Sequence, residues 1–289
     1  MKVILQISKS YKSVLSSNFM EKDIAIVYMV AGLSSRFGGK IKQFAQVGPN
    51  NETLMEYSMN QALSAGFTKI VFIVGNMTEK PFKEKFGDSY KGVRVEYTFQ
   101  FFDPETRDRP WGTTDALCSL KGKISCPFVI CNGDDIYGKN SFRIMTEHLK
   151  KNPEEATLGY RLCEVIPEKG RTNRGIFQVN DCYVKSLKEV LGIEKCDLKA
   201  TNTDENDLCS MNIYALHPKT IDLLENYLNE FKKQHVGDRR SEALLPEMIS
   251  RLIEEGKIKM KIYPSKDKWI GVTNPEDEST VKEILKNLN

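Results

Sequence analysis

Four apolar runs in the first half of the chain constrain its fold most. They are "IAIVYMV" at 24–30, "KIVFIVG" at 69–75, "VRVEYTF" at 93–99 and "FVICNGDD" at 128–135. The first, second and fourth are apolar almost throughout, as strands buried on both faces are. The third alternates. Helical periods separate them. In "TLMEYSMNQALSAG" (53–66), Leu54, Met55, Met59, Ala62 and Leu63 share a face, and Gly66 suits the C-terminal cap. "TEKPFKEKFG", "TTDALCSLKG" (113–122) and "NSFRIMTEHLKKN" are the other helices, with Thr113 as a cap. Strand and helix in alternation predict an α/β fold with a mostly parallel central sheet covered on both faces. Such sheets bind ligands beyond the carboxyl ends of their strands. The glycine-rich loop at 31–42 and "NGDD" at 132–135 both fall at such ends, which places them on one rim.

The second half is less regular. "ATLGYRLCEV", "GIFQVNDCYVKSLKEV" and "LCSMNIYAL" read as strands, the middle one a hairpin turning at Asn180-Asp181. Helices are expected at 218–233 and about 242–255, and a strand at 258–263. In the last helix Asn274 is a good N-cap, Pro275 fits the first turn, and Val281, Ile284, Leu285 and Leu288 share a face. No repeat or linker breaks the chain. The reading is an N-terminal extension (1–23) and one domain (24–289).

Composition excludes several classes. A net charge of +3 gives no concentrated basic patch for nucleic acid. No run approaches the ~20 apolar residues that span a bilayer, so no membrane partner is expected. Seven cysteines without a C-x-x-C, and three scattered histidines, speak against zinc and for reduced thiols in the cytoplasm.

The loop "AGLSSRFGGKIKQF" carries the chemistry. It is no Walker A motif, because Ser34 stands where the first glycine belongs and Ile41 follows Lys40. It is no dinucleotide fingerprint, because Ser34 again replaces the second glycine. Small residues let backbone N–H groups approach phosphate closely. Arg36 can clamp a polyphosphate through two parallel bonds, and Lys42 adds a mobile point charge. A Gly-rich turn with solvated basic residues fits the local pattern equally. In "NGDD", the adjacent carboxylates of Asp134 and Asp135 repel unless a cation or base offsets them. Magnesium favours one or two protein carboxylates plus substrate phosphates.

The loop resembles the signature of the sugar-phosphate nucleotidyltransferase superfamily, whose members join an NTP to a phosphorylated small molecule. "RPWGTTDAL" (109–117), "VICNGDDIYG" (129–138), "SMNIYAL" (210–216) and "DKWIGVTNPED" (267–277) match further segments in the right order. With "VGPNNETLMEYS", they are most similar to an uncharacterised bacterial-type group of these enzymes, over residues 24 to about 285. Proline is replaced by Ile41 in the loop, and a glycine is missing after Asn212.

The resemblance implies the nucleotide-diphospho-sugar transferase fold, glycosyltransferase-A-like and Rossmann-related with a mixed, mostly parallel central sheet, and divides the domain into a nucleotide-binding half (24–150) and an acceptor half with the C-terminal helix (151–289). It implies catalytic Arg36 and Lys42 on the triphosphate, and nucleotide contacts from Ala31, Gly32, Ser34, Ser35, Gln100, Trp111, Gly112 and Thr113. Asp134 and Asp267 would bind Mg2+, and Asp135, Gly175, Glu189, Lys195 and Asn212 would meet the acceptor. The implied reaction is Mg-dependent transfer from an NTP, UTP favoured, to a sugar 1-phosphate, with release of pyrophosphate. A cytidylyltransferase acting on a phosphorylated alcohol and an NDP-sugar-dependent glycosyltransferase remain open, as does assembly into a homo-oligomer.

Overall fold

The computed structural model describes residues 23–32, 41–272 and 277–287. Residues 1–22 of the N-terminal extension, Ser34, Ser35, Arg36, Asn274, Pro275 and Leu288 lie outside the described residues.

The first half follows the expected alternation. Strand β1 (Ala25–Met29) leads through the glycine loop and a 3-10 turn at Lys42–Phe44 to α1 (Leu54–Ser64). Helix α1 starts on a capping box: Thr53 Oγ1 accepts the Glu56 N–H, and Glu56 Oε2 accepts the Thr53 N–H. It stops before Gly66, whose φ of +96° takes the left-handed turn that the sequence anticipates. Then come β2 (Lys69–Val74), α2 (Glu79–Phe86), β3 (Ser89–Tyr90), β4 (Val93–Phe99), α3 (Thr113–Cys118), β5 (Phe128–Asn132), β6 (Asp135–Ile136) and α4 (Lys139–Lys151). Strands β5, β1, β2 and β4 lie side by side and parallel.

The second half is built differently. Strand β7 (Glu155–Arg161) ends in one helical turn, α5 (Leu162–Val165), where the sequence suggested continued strand. β8 (Thr172–Asn180) and β9 (Tyr183–Ile193) form the expected hairpin, with Asp181 at φ +55° in its turn. The stretch 208–216, expected as one strand, is two: β10 (Leu208–Ser210) and β11 (Tyr214–Leu216). Asn212 breaks it at φ +57°, a conformation asparagine tolerates better than most residues. The kink carries the chain from beside β8 to a place between β7 and β5. Helices α6 (Pro218–Gln234) and α7 (Leu245–Glu254), strands β12 (Met260–Pro264) and β13 (Ile270–Gly271), and α8 (Asp277–Asn287) complete the order.

Eleven strands join one sheet in the order β10-β8-β9-β12-β7-β11-β5-β1-β2-β4-β3. The mostly parallel sheet read from the sequence is corrected here. Four of its pairings are parallel and seven antiparallel. The cause is connection length: helical crossovers return strands parallel in the first half, whereas the β8–β9 turn is too short to do anything but reverse the chain. Residues alternating along β1 face two cores. Ile24, Ile26 and Tyr28 pack with α1, α2 and α4 on one face, and Ala25 and Val27 with α3, α6 and α7 on the other. A third small core joins β6 and β13 to α8 through Ile136, Ile270 and Val281.

Candidate active site

The carboxyl ends of β1, β4 and β5 open onto a cleft of about 390 Å3 lined by Ala31, Gly32, Gln100, Gly112, Thr113 and Asn132. A second cleft, of about 470 Å3, shares Thr113 and Asn132 with it and reaches Asp135, Gly175, Glu189 and Asn212. The rim inferred from the sequence therefore gathers two neighbouring ligand-sized spaces.

The acidic pair follows Asn132, which both clefts share, and Asp135 lines the second cleft. Gly133 lets the chain pass close to β1: its N–H donates to Met29 O at 3.1 Å. Asp134 keeps 27% of its side chain exposed, and its Oδ2 accepts Lys42 Nζ. Asp135 is buried, and its Oδ2 lies 2.9 Å from Asn132 Nδ2 and 3.1 Å from the Tyr137 hydroxyl. Burial first, and then the neighbouring Asp134 charge, push its carboxyl up to about 7. One accessible carboxylate carrying an ammonium, beside a second carboxylate, fits a divalent ion whose other ligands come from phosphate and water.

Asp267 is placed elsewhere. Its Oδ1 accepts Asn140 Nδ2 at 3.0 Å and its Oδ2 accepts the Ser141 N–H at 2.7 Å, so it caps the N-terminus of α4. Gly138 makes room for it, since a Cβ there would stand 2.3 Å from the Asp267 carboxylate. The cause is strand register. Ile270 pairs with Ile136 and Gly271 with Asp135, so Val272 arrives at Asp134, where its N–H meets Asp134 O at 3.3 Å. Asp267, five residues earlier, runs off toward α4. Among the described residues no three His, Cys, Asp or Glu side chains form a metal cluster.

The wall of the first cleft is a clamp between two loops. Gly112 is the N-cap of α3 at φ +96°, and Thr113, expected as the cap, lies inside the helix. Thr113 Oγ1 instead accepts the Leu245 N–H at 2.8 Å. The Ala243 N–H donates to Trp111 O at 2.8 Å, and Ala243 O accepts the Thr114 N–H at 3.0 Å. Arg107, only 3% exposed, donates to the carbonyls of Arg109, Asp238 and Ser241. Its guanidinium lies 3.5 Å from the centre of the Trp111 ring. That ring also meets Phe231 of α6 edge-on, so Trp111 braces the clamp and does not line the cleft. Gln100 Nε2 donates to Gly112 O at 2.9 Å and to Asp115 Oδ2 at 3.0 Å. Arg107, Asp115 and Lys232 are not evident from the sequence: the charge density of "TRDRPW" and "GDRRSE" signals Arg107, and nothing local signals Asp115 or Lys232.

In the second cleft Gly175 and Glu189 face each other across β8 and β9. Burial, with the nearby Glu247 carboxylate, raises the Glu189 carboxyl; Arg174 pulls the other way. Arg174 Nε and Trp269 Nε1 are buried donors without a partner among the described residues, and both residues line this cleft. Lys195 is not brought here: its ammonium pairs with Glu168.

One rim of parallel strand ends thus carries an acidic pair and two adjoining clefts. Over residues 39–287 the sequence matches the nucleotidyl transferase family, and the chain belongs to it. No curated protein sequence matches it. Solved structures with the same fold are nonetheless many and distant. One, from Bacillus anthracis, provisionally named a glucose-1-phosphate thymidylyltransferase and crystallised with sucrose, is 16% identical, with a TM-score of 0.66 over 92% of this chain and 96% of that one. The inositol-1-phosphate CTP transferase of T. maritima is 15% identical, with a TM-score of 0.65 over 92% and 96%. The UTP-bound UGPase of Acinetobacter baumannii is 15% identical, with a TM-score of 0.63 over 93% and 94%. Among the described residues no helix is long and apolar enough to cross a membrane.

Proposed function

We propose that this nucleotidyltransferase joins an NTP, with UTP favoured, to a sugar 1-phosphate, giving an NDP-sugar and pyrophosphate. The observation that carries the reading is the meeting of the two clefts at Asn132 and Thr113, with Asp134, the partner of Lys42, following Asn132 closely in the chain. The base and ribose would fill the first cleft, against Gln100 and Gly112. The acceptor would fill the second, where Glu189 and Asn212 offer polar contacts and Arg174 Nε and Trp269 Nε1 are unspent donors. Such a lining suits a ligand rich in hydroxyl oxygens.

An acceptor phosphate is already ionised, so its oxygen can attack the α-phosphorus with no general base. The protein's work is alignment and neutralisation of charge. Lys42 and Arg36 would hold the β- and γ-phosphates. Asp134 would hold magnesium, which when bound supplies neutralisation of the phosphate charge. Asp267 stays with α4. A phosphorylated cyclic alcohol would satisfy the same donors, and the T. maritima neighbour is named for such an acceptor.

Pyrophosphate release tests the reading, with five NTPs crossed against hexose 1-phosphates and polyol phosphates in Mg2+. Release that requires both partners is expected. No release from any pair, together with binding of an NDP-sugar, would overturn it in favour of a glycosyltransferase.

A further inference from the structure

The first cleft contains an arrangement that fixes what a base can meet. Gln100 is only 6% exposed, and both hydrogens of its amide are committed, to Gly112 O and to Asp115 Oδ2. Those partners are a carbonyl and a carboxylate, which only accept. Turning the amide over would set its oxygen against two acceptors. Asp115, 8% exposed, is itself held by Lys232 Nζ of α6 at 2.6 Å from Oδ1. The oxygen Oε1 is therefore what Gln100 has left to offer a ligand.

We propose that Asp115 and Lys232 are positioning residues that lock the Gln100 amide with its oxygen toward the nucleobase. The cleft then selects bases with a ring N–H on their pairing edge: uracil or thymine over cytosine, guanine over adenine. Against a fixed acceptor, the ring N3 of cytosine or N1 of adenine sets lone pair against lone pair and leaves a buried polar group unpaired. The inference rests on the NTP reading above and deepens it. Neither residue touches the base, and the fold alone does not require the pair.

The test is calorimetric affinity for UTP, dTTP, CTP, GTP and ATP with Mg2+, in the wild type, Asp115→Asn, Lys232→Met and Lys232→Arg. In Asp115→Asn the lysine still claims the oxygen, so a nitrogen turns to Gln100, whose amide then faces one donor and one acceptor. The wild type should prefer its ring N–H nucleotide over the size-matched partner by about tenfold or more. Asp115→Asn should bring that ratio to within about threefold, Lys232→Met should lower it, and Lys232→Arg should restore it. A merely structural role would lower Tm and weaken both nucleotides alike, and an unchanged ratio overturns the inference. If Asp115→Asn does not fold, Lys232→Met decides. Preference of the wild type for CTP or ATP overturns the lock and leaves nucleotidyl transfer standing. Absence of all NTP binding overturns that reading, and the lock with it.

Discussion

The ammonium of Lys42 rests on the carboxylate of Asp134, 92 residues away in sequence. The same carboxylate is the candidate magnesium ligand, so one cation already holds the place of another. Replacing Lys42 by Met removes the resident charge and leaves Asp134 and Asp135 unopposed. Mn2+ binding without nucleotide should tighten severalfold, while NTP binding weakens, because the phosphates lose a counter-charge. Calorimetry with Mn2+ and then with NTP reads both. Unchanged Mn2+ affinity would show that Lys42 does not guard the site.

Gly112 has little freedom to change, because the atoms an added side chain would meet are backbone. Its φ is +96°, and a Cβ there would lie 2.7 Å from Ala243 O and 2.9 Å from Ala243 N. Gly112→Ala should cost about 2 kcal/mol or more in stability, from left-handed strain plus displacement of backbone. Urea unfolding measures it. A cost within about 0.5 kcal/mol would mean that the clamp yields freely.

Arg107 satisfies three carbonyls and covers Trp111. Arg107→Ala should destabilise the chain by about 3 kcal/mol, since three part-buried carbonyls lose charged donors and Trp111 loses its cover. Arg107→Lys should recover little of it, because an ammonium cannot span the fork. Full recovery by lysine in thermal melts would reduce the role of Arg107 to its charge.

His148 sets a pH dependence. Its Nε2 lies 2.9 Å from Glu154 O, which can only accept, so Nε2 carries the hydrogen and Nδ1 accepts from the Tyr263 hydroxyl at 3.0 Å. Burial holds its pKa below the ordinary value. The unfolded chain then binds a proton at a pH where the folded chain does not. Stability from this residue is present above the unfolded value of about 6.5, falls as pH drops through it, and levels off below the folded value. The Tm difference between wild type and His148→Gln should therefore shrink between about pH 7 and pH 5. A constant difference would contradict a neutral buried His148.

What the sequence disclosed was local. The four apolar runs, the Gly66 stop and the turn after Asn180 are each set by residues within a few positions, and all three hold in the fold. The rim also follows, because strand ends and loops are read together. What escaped depends on partners far along the chain. Nothing in "YAL" tells that β11 enters between β5 and β7. The task of Asp267 is decided by the register of β13 on β6, and the side to which Trp111 turns by Phe231 and Arg107. Pairing register and long-range packing are where one sequence has least to say.

Strand β11 has a last implication. It bonds to β5 on one side and β7 on the other, so the two halves are stitched edge to edge. They cannot swing on a hinge without tearing backbone pairs. On the proposed reading, the separation between the base end and the acceptor end would then be a fixed gauge. An acceptor too short to reach Asp134, or too long to clear Asn212, would be refused by length, with no closing motion needed to measure it.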